Sequence, residues 1–290
     1  MEGSFIVENA VNTCYIDSIL MGLFYQNSNI DKLLEKELRS KNGTIIYLQE
    51  YIKQKFVLPV RQNKSVLKDD IEMIKTLSFQ LGWKNQDYEE YIKQQDANEY
   101  YCFLMDLFEN SQIEISNSNI NIGKSIPFIP LYLPENIDKI NVNTMLQNWL
   151  QDKNTLLQPI TEAEGVKYNI TNVPMIFPLL INRFNNKGTR IQTEVIIQKK
   201  INPFIKKTVV NMYEWILHSA ICHTGDTLSS GHYYTLLSFN NNNNNSSSSN
   251  SKWYLFDDMK IPSMREVKMD DKSVTDMIKK DCVFLIYRLL

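Results

Sequence analysis

Apolar residues recur at helical spacing near the N-terminus of the chain. The polar pair Asn12-Thr13 precedes this run, which predicts an amphipathic helix with Cys14 in its first turn. The apolar face of the predicted helix consists of Ile16, Ile19, Leu20, Leu23 and Phe24. The same spacing predicts further helix over residues 30–56 and 66–81, so we expect a helical N-terminal lobe.

A second helix signal lies at Gln94-Gln-Asp-Ala-Asn-Glu-Tyr100. Asp96 is a suitable N-cap, and Glu99 three residues later is the carboxylate partner of a capping box. One interpretation gives these two carboxylates this capping role alone, and the other adds contact with a ligand. Cys102 falls among apolar and aromatic residues of the same helix, so we expect it to be an inert core residue.

From about residue 113 the pattern changes to short apolar runs interrupted by proline. Such runs are typical of strands with prolines at their starts, edges or bulges. The predicted strands cover residues 126–133, 173–181, 195–210, 215–223, 231–239, 253–256 and 282–289, with a short helix over 144–150. Residues 240–251 are only Asn and Ser, which predicts a flexible hairpin insert. Helices followed by strands indicate an α+β fold.

Composition narrows the possible partners and compartments. The 290 residues carry a net charge of −2, which gives no basic field for nucleic acid. No apolar run reaches the roughly 20 residues that cross a bilayer, and no signal peptide is evident. The four cysteines are scattered without a C-x-x-C pair, which argues against a zinc knuckle or a disulfide framework. We therefore expect no metal or other cofactor and a reducing location, cytoplasmic or nuclear.

The place of Cys14 at a predicted helix start gives this residue a candidate chemical role. Unpaired N–H groups and the positive end of the helix dipole favour an anion there, so we expect the pKa of the thiol to be lowered. Asn9 lies five residues upstream, where its amide can donate to an oxyanion. The alternative is that Cys14 is a small buried apolar residue, as most free cysteines are.

A cysteine nucleophile needs an imidazole base and a polar group that orients it, and the chain has three histidines. His218 lies within an apolar strand and is interpreted as a sheet residue, while His223 ends that strand. His232 opens the next strand after a glycine, which allows close backbone approach. Asp257 and Asp258 end the strand that follows, so hairpin pairing predicts that His232 and Asp257 are neighbours. Each is alternatively an ordinary polar residue of a sheet edge.

Taken together, these segments resemble the ubiquitin-specific proteases, a family of papain-like deubiquitinating enzymes. The segment from Asn9 to Ser18 is similar to the family's cysteine box, and the one from Gln94 to Tyr100 to its glutamine-rich box. The segment Val173-Pro…Ile-Asn-Arg-Phe184 is similar to the family's proline-to-arginine-phenylalanine strand. Three further segments are similar to parts of its histidine box: His223-Thr-Gly225, Gly231-His-Tyr233 and Trp253-Tyr-Leu-Phe-Asp-Asp258. In the family's order they span residues 9–258.

The resemblance implies a role for each matched catalytic position. Cys14 is the nucleophile, His232 the general base and acid, and Asp257 the group that orients the imidazole, with Asp258 a close second. Asn9 is the oxyanion donor. The implied reaction cleaves the isopeptide or peptide bond after the C-terminal glycine of ubiquitin.

The resemblance also implies how the substrate is bound. Gln94, Asp96 and Glu99 belong to the glutamine-rich box, whose two carboxylates face the arginines in the tail of ubiquitin. His223 and Tyr233 line the channel for the two terminal glycines. The resemblance implies a single catalytic domain over residues 1–290. We expect it to be a monomer that acts on ubiquitin. It has a helical thumb (1–115), followed by β fingers and an antiparallel β palm (116–290).

Three departures from the family pattern leave alternatives open. Val11 stands where the family usually has glycine, and Asp17 replaces an asparagine and adds a negative charge that opposes a low thiol pKa. The fingers lack the usual zinc-binding cysteines and are short, so we expect a reduced finger region. The alternatives are a catalytically weak ubiquitin-binding module and a protease for another ubiquitin-like modifier.

Overall fold

Helices from the N-terminal part of the chain pack against one face of a large β-sheet. The structure, a computed structural model, describes residues 5–85, 88–110, 113–117, 120–151, 168–203, 213–227, 230–239 and 252–290. The predicted Asn/Ser insert at 240–251 and the end of the predicted strand at 204–210 lie outside these residues. Within the described ranges, no helix is long and apolar enough to cross a membrane.

Seven α-helices of the described chain precede the first strand. They are α1 (Cys14–Phe24), α2 (Lys32–Glu35), α3 (Gly43–Ile52), α4 (Leu58–Arg61), α5 (Lys68–Gln80), α6 (Tyr88–Ile92) and α7 (Ala97–Leu107). α5 and α7 confirm the predicted helices. The helix predicted over 30–56 is wrong in its continuity, because the chain leaves the helix after Glu35 and a new one begins at Gly43. Asn42 caps this new helix by accepting from the Thr44 N–H at 2.9 Å.

The strands form one large sheet and two small ones. Their bounds, with two further helices, are β1 (Ile113–Asn117), β2 (Ile120–Ile126), β3 (Ile129–Tyr132), β4 (Lys139–Asn141), α8 (Val142–Leu150), β5 (Tyr168–Ile170), β6 (Ile176–Asn182), β7 (Glu194–Ile196), β8 (Lys200–Ile201), β9 (Trp215–Thr227), β10 (Ser230–Phe239), β11 (Lys252–Phe256), β12 (Met264–Val267), α9 (Lys272–Asp281) and β13 (Cys282–Leu289). The large sheet has the order β12-β11-β10-β9-β13-β6-β3. Its pairs are antiparallel except for the β3–β6 edge, which is parallel.

Two apolar cores lie on opposite faces of the large sheet. One joins α1 and the other N-terminal helices to the sheet, and the second joins the sheet to α8 and α9. α1 is buried on all sides, so the expectation that it exposes a polar face is wrong. The hydroxyls of Ser219 and Thr235 donate to the Gly22 and Ser18 carbonyls at 2.8 and 3.1 Å, which fixes the helix on the sheet.

Arg183, in the motif that follows β6, has a structural role in this arrangement. Its guanidinium is buried and donates to the Cys282, Thr193 and Lys279 carbonyls at 2.7, 3.0 and 2.5 Å. A cation is favoured near the C-terminus of a helix, here α9, because the carbonyls there lack helical partners. Arg183 thus ties β6 to α9 and to the start of β13.

Candidate active site

Cys14 is the first residue of α1, as predicted. Thr13 occupies the N-cap position, but its hydroxyl makes no cap bond to a helix N–H. It donates instead to a carboxylate oxygen of Asp17 at 3.0 Å and contacts the Ala10 backbone. The expected side-chain cap is therefore replaced by a bond that fixes Asp17 inside the first turn.

The Cys14 sulfur is nearly enclosed, since only 5% of the residue is exposed. Burial raises the pKa of the Cys14 thiol to about 12, and the charges of Asp258 and Asp17 add to this effect. Backbone N–H groups of Tyr233 and Tyr15 hydrogen-bond to the sulfur and oppose it. The expectation of a lowered thiol pKa is wrong for this structure, because burial outweighs the helix N-terminus.

His232 and Asp257 are neighbours, as hairpin pairing predicted. Antiparallel pairing of β10 with β11 brings the start of one strand beside the end of the other. The Nε2 atom of His232 lies 2.8 Å from Oδ1 of Asp257, which also accepts from the Met259 N–H at 3.0 Å. Burial opposes ionisation of Asp257, but these two hydrogen bonds outweigh it and lower the pKa of the carboxyl. Asp257 is thus an anion that holds the imidazole through Nε2.

Asp258 contacts a different set of groups from Asp257. Its Oδ2 atom accepts from the Asn9 amide at 2.5 Å, and its Oδ1 atom lies 3.6 Å from Nε2 of His232. Its carboxyl group is also within hydrogen-bonding distance of Asp17. Asn9, the expected oxyanion donor, is therefore bound to Asp258 in this structure.

These groups also have the residue types of metal ligands. Ligand atoms of His232, Asp257 and Asp258 lie within 4.8 Å of one another. The imidazole is bonded to Asp257, and Asp258 is bonded to Asn9. Because Nε2 of His232 and Oδ2 of Asp258 are already hydrogen-bonded to protein groups, we assign no metal site to these three residues.

A pocket of about 170 Å³ adjoins the site through Tyr233. Asp96, Asn98, His223 and Phe184 are among its lining residues. The His223 and Tyr233 rings lie 4.5 Å apart, and the Gln94 amide lies 3.2 Å from Nε2 of His223. Burial lowers the pKa of His223 to about 4, so the ring is neutral. Four of the five predicted substrate-binding residues are thus in or beside this pocket.

The fifth residue, Glu99, is placed differently. Asp96 accepts from the Asn98 and Glu99 N–H groups at 2.7 and 3.0 Å, which confirms its role as the N-cap of α7. The Glu99 carboxylate points to solvent and pairs with Lys84. Glu99 is not among the residues that line the pocket.

Two residues near the site were not predicted from the sequence. Asn98 lines the pocket, and its Oδ1 atom is buried without a hydrogen-bond partner in the described chain. Lys75 is also buried, and its ammonium donates to the Val11 carbonyl at 2.8 Å and lies 4.6 Å from the centre of the Tyr91 ring. A signal for Lys75 existed, because it lies four residues after Ile71 and so on the apolar face of α5.

Comparison with known proteins identifies the family. The sequence model described as Ubiquitin carboxyl-terminal hydrolase matches residues 7–287. The chain belongs to this family. Membership in the ubiquitin carboxyl-terminal hydrolases confirms the resemblance inferred from the cysteine, glutamine and histidine motifs.

One curated relative of this chain is ubiquitin carboxyl-terminal hydrolase 15 of Schizosaccharomyces pombe. The two are 22% identical over 305 residues, which cover 91% of this chain and 25% of the relative. The chain thus spans about a quarter of that protein's length.

Two solved structures of the SAGA DUB module (Ubp8, Sgf11, Sus1 and Sgf73) share the fold. One is bound to monoubiquitin and the other to ubiquitin aldehyde. The TM-scores are 0.65 and 0.66 at 14% identity, and each match covers 100% of this chain and 70% of the other. These matches confirm the papain-like α+β fold of this chain.

Proposed function

We propose that this chain hydrolyses the bond after the C-terminal glycine of ubiquitin, with Cys14 as nucleophile, His232 as base and Asp257 as the orienting group. The observation that carries the proposal is the 2.8 Å contact between His232 and Asp257. The residue after His232, Tyr233, donates its backbone N–H to the Cys14 sulfur. The imidazole is therefore attached to the strand that contacts the nucleophile.

The proposed reaction proceeds through two acyl-transfer steps. With Nε2–H donating to Asp257, Nδ1 of His232 is the nitrogen that accepts the Cys14 proton. The sulfur then attacks the carbonyl carbon of the terminal glycine, and the protonated imidazole gives its proton to the departing amine. Water, activated by the same nitrogen, attacks the resulting thioester and regenerates the thiol.

Asn9 supplies the proposed oxyanion contact without losing its bond to Asp258. A side-chain amide carries two N–H donors, and one of them donates to Asp258 at 2.5 Å. The second can donate to the oxygen that becomes negative in the tetrahedral intermediate. Asp258 in this arrangement orients Asn9, which differs from the second imidazole-orienting role that the resemblance implied for it.

The pocket beside Tyr233 supplies the proposed binding site for the substrate tail. With the Gln94 amide donating to Nε2, His223 carries its hydrogen on Nδ1, a buried atom without a partner in the described chain. The buried Oδ1 atom of Asn98 is an acceptor in the same condition. An extended peptide presents alternating N–H and C=O groups and can satisfy both. The walls suit small residues, since the volume is about 170 Å³.

The two carboxylates of α7 are proposed to contact the arginines of the ubiquitin tail. Asp96 uses Oδ1 for both of its cap bonds, which leaves Oδ2 as an acceptor for a guanidinium. Glu99 already pairs with Lys84, so an arginine has to displace or share this contact. We therefore assign Asp96 the larger part in tail recognition.

Reaction with ubiquitin that carries a thiol-reactive C-terminal group tests the proposal. The wild type should form a covalent adduct, Cys14→Ala should form none, and His232→Ala should react much more slowly. Retention of the folded state in the variants is checked by circular dichroism. Binding of unmodified ubiquitin without any adduct would replace the proposal by the binding-module alternative.

The other alternative, a different ubiquitin-like modifier, needs a direct comparison of substrates. Fluorophore conjugates of ubiquitin and of other modifiers with a Gly-Gly tail are cleaved side by side. Much faster turnover of another modifier would overturn the choice of ubiquitin. Four expectations stay predictions from the sequence. They are the monomeric state, the absence of nucleic-acid and membrane partners, the cytoplasmic or nuclear location, and the domain limits.

A further inference from the structure

Two acidic side chains meet beneath the candidate site. Asp17 on α1 is 0% exposed and Asp258, which follows β11, is 6% exposed. Their carboxyl groups lie within hydrogen-bonding distance of each other. The Oδ1 atom of each is buried, and no donor of the described chain bonds to it. Two ionised carboxylates offer only acceptors and repel each other at this distance.

The remaining oxygens of the pair already have donors. Oδ2 of Asp17 accepts from the Thr13 hydroxyl at 3.0 Å, and Oδ2 of Asp258 accepts from the Asn9 amide at 2.5 Å. One proton placed between the two carboxyl groups supplies the donor that both lack. With this proton, all four carboxyl oxygens of the pair take part in a hydrogen bond. Nε2 of His232 lies 3.6 Å from Oδ1 of Asp258, which is too far for a hydrogen bond.

The charges around Asp17 do not provide another way to stabilise two anions. The titratable groups that interact with it from its own helix, from α5, from α7 and from the sheet side are Cys14, Tyr15, Lys75, Tyr100 and Asp258. Lys75 is the cation in this set, and its ammonium donates to the Val11 carbonyl and not to a carboxylate. Burial, followed by the charge of Asp258, raises the pKa of Asp17 well above its usual value.

We propose that Asp17 is a positioning residue that keeps a proton and donates it to Asp258, so that the pair holds one proton between them. Through this bond Asp17 fixes Asp258 from below, while Asp258 fixes the Asn9 amide above it. The catalytic consequence rests on the proposed function, since Asn9 acts on the oxyanion of that reaction. Loss of the proton at alkaline pH would leave two facing anions and displace Asn9.

Infrared difference spectroscopy tests the proton without any substrate. Asp17→Asn keeps the shape of the side chain and a donor toward Asp258, but it removes the titratable group. The spectrum of the wild type minus that of Asp17→Asn at pH 7 should contain the C=O band of a protonated carboxylic acid. The band should disappear as the pH is raised. Its absence at pH 7 would overturn the inference, whatever the activity of the protein.

Activity across pH tests the positioning role. We expect Asp17→Asn to cleave a ubiquitin–fluorophore conjugate within a few fold of the wild type at pH 7 and to lack an alkaline decline that the wild type shows. Asp17→Leu, which has no donor, should be about 10- to 100-fold less active. If Asp17→Leu does not fold, the two pH profiles still decide. Coincident alkaline profiles for the wild type and Asp17→Asn would overturn the role of the proton.

The two tests separate this inference from the proposed function. If the infrared band is present but no ubiquitin conjugate is cleaved, the inference of a shared proton stands and the proposed function fails. A protein that cleaves ubiquitin without the band would retain the function and lose the inference. Rescue by asparagine but not by leucine distinguishes a donor from a residue that merely fills space.

Discussion

The Cys14 sulfur lies at the start of a helix and is nonetheless almost enclosed by protein. A helix N-terminus stabilises a nearby anion by about 0.3–1 kcal/mol, and by about 2 kcal/mol in favourable buried geometry. Burial raises the thiol pKa to about 12, an effect on the order of 4 kcal/mol in favour of the neutral form. The dipole therefore loses, and ionisation of Cys14 depends on proton transfer to His232.

This balance predicts how the free protein reacts with a small alkylating reagent. Because the thiolate is the reactive form and its pKa is about 12, the rate at Cys14 should rise about tenfold for each pH unit from 7 to 9. Mass spectrometry of the Cys14 peptide measures the rate, and Cys14→Ala confirms the assignment. A free cysteine peptide is the control, since its rate levels off near its own pKa of about 8.5. A plateau for Cys14 near pH 7 would reveal a preformed thiolate–imidazolium pair.

His218 is a buried histidine that takes no part in the proposed reaction. It is a sheet residue of β9, as predicted, and both of its ring nitrogens are buried without partners in the described chain. Burial, with the charges of Arg288 and Arg61, lowers its pKa to about 3. The folded protein therefore keeps this ring neutral at pH values where the unfolded chain protonates it.

The consequence is a stability that falls with acid. Below pH 6.5 the unfolded state binds a proton that the folded state rejects at His218, so the free energy of unfolding should drop by about 1.4 kcal/mol per pH unit. His218→Leu removes this loss and also the cost of two unpaired nitrogens, about 1–3 kcal/mol. Urea unfolding at pH 8 and pH 5 should show a larger stabilisation at pH 5. An equal effect at both pH values would contradict the explanation.

At the scale of elements, the β9–β10 hairpin fixes the position of His232. Gly231 has a φ of +143°, and a Cβ atom there would overlap the Thr224 carbonyl oxygen of the facing strand. The pairing shifts register between Ser230 and His232. The glycine before His232 was expected to permit close backbone approach, and the structure confirms it. Close approach of β9 thus fixes the start of β10 at His232, which pairs with Thr224, while pairing of β10 with β11 places Asp257 beside it.

Gly231→Ala should therefore damage the site as well as the fold. A side chain at this φ is strained, and relief of the overlap has to move the Thr224 backbone, the His223 ring or residue 231 itself, to which His232 is attached. A misplacement of about 1 Å near the reacting groups costs roughly 100-fold in rate, so we expect at least that loss in adduct formation. Gly188→Ala is the matched control, because its φ is +73° and nothing lies within 4 Å of the added atom. It should cost about 1–2 kcal/mol of stability and leave the rate unchanged.

What the sequence predicts well is local, and what it misses depends on contacts between distant elements. Helix spacing and the residue types at strand ends placed Cys14 on a helix start and His232 beside Asp257. The burial of the Cys14 thiol and the contact of Asp17 with Asp258 follow from packing of α1 on the sheet, which no local pattern records. α9 was not predicted, because Val274 and Ile278 are its buried residues and form too narrow an apolar stripe.

At the scale of the molecule, the site exists only where the two parts of the chain meet. Asn9, Cys14 and Asp17 come from the N-terminal part, while His232 and Asp258 come from the last third. The bond from Asn9 to Asp258 crosses this boundary, and so do the hydroxyl bonds that fix α1 on β9 and β10. Any change that shifts the helices on the sheet therefore acts on several site distances at once.

The pairing of β10 with β11 predicts that the loop between these two strands tolerates deletion. Pairing of β10 with β11 extends from Thr235 opposite Phe256 to Phe239 opposite Lys252, so the strands are fully joined where the Asn/Ser insert begins. Deletion of residues 241–250 should change the cleavage rate of a ubiquitin–fluorophore conjugate by less than about twofold. Stability should be equal or slightly higher, since each halving of loop length reduces the closure cost by only about 0.6 kcal/mol.

Gly231→Ala, at the opposite end of β10, is the informative comparison for this deletion. If the strand transmits disturbance from both ends, both changes should slow the reaction. If only the end that carries His232 matters, the deletion variant should match the wild type in melting temperature and turnover while Gly231→Ala fails. A large loss of turnover in a folded deletion variant would mean that the insert itself takes part in binding.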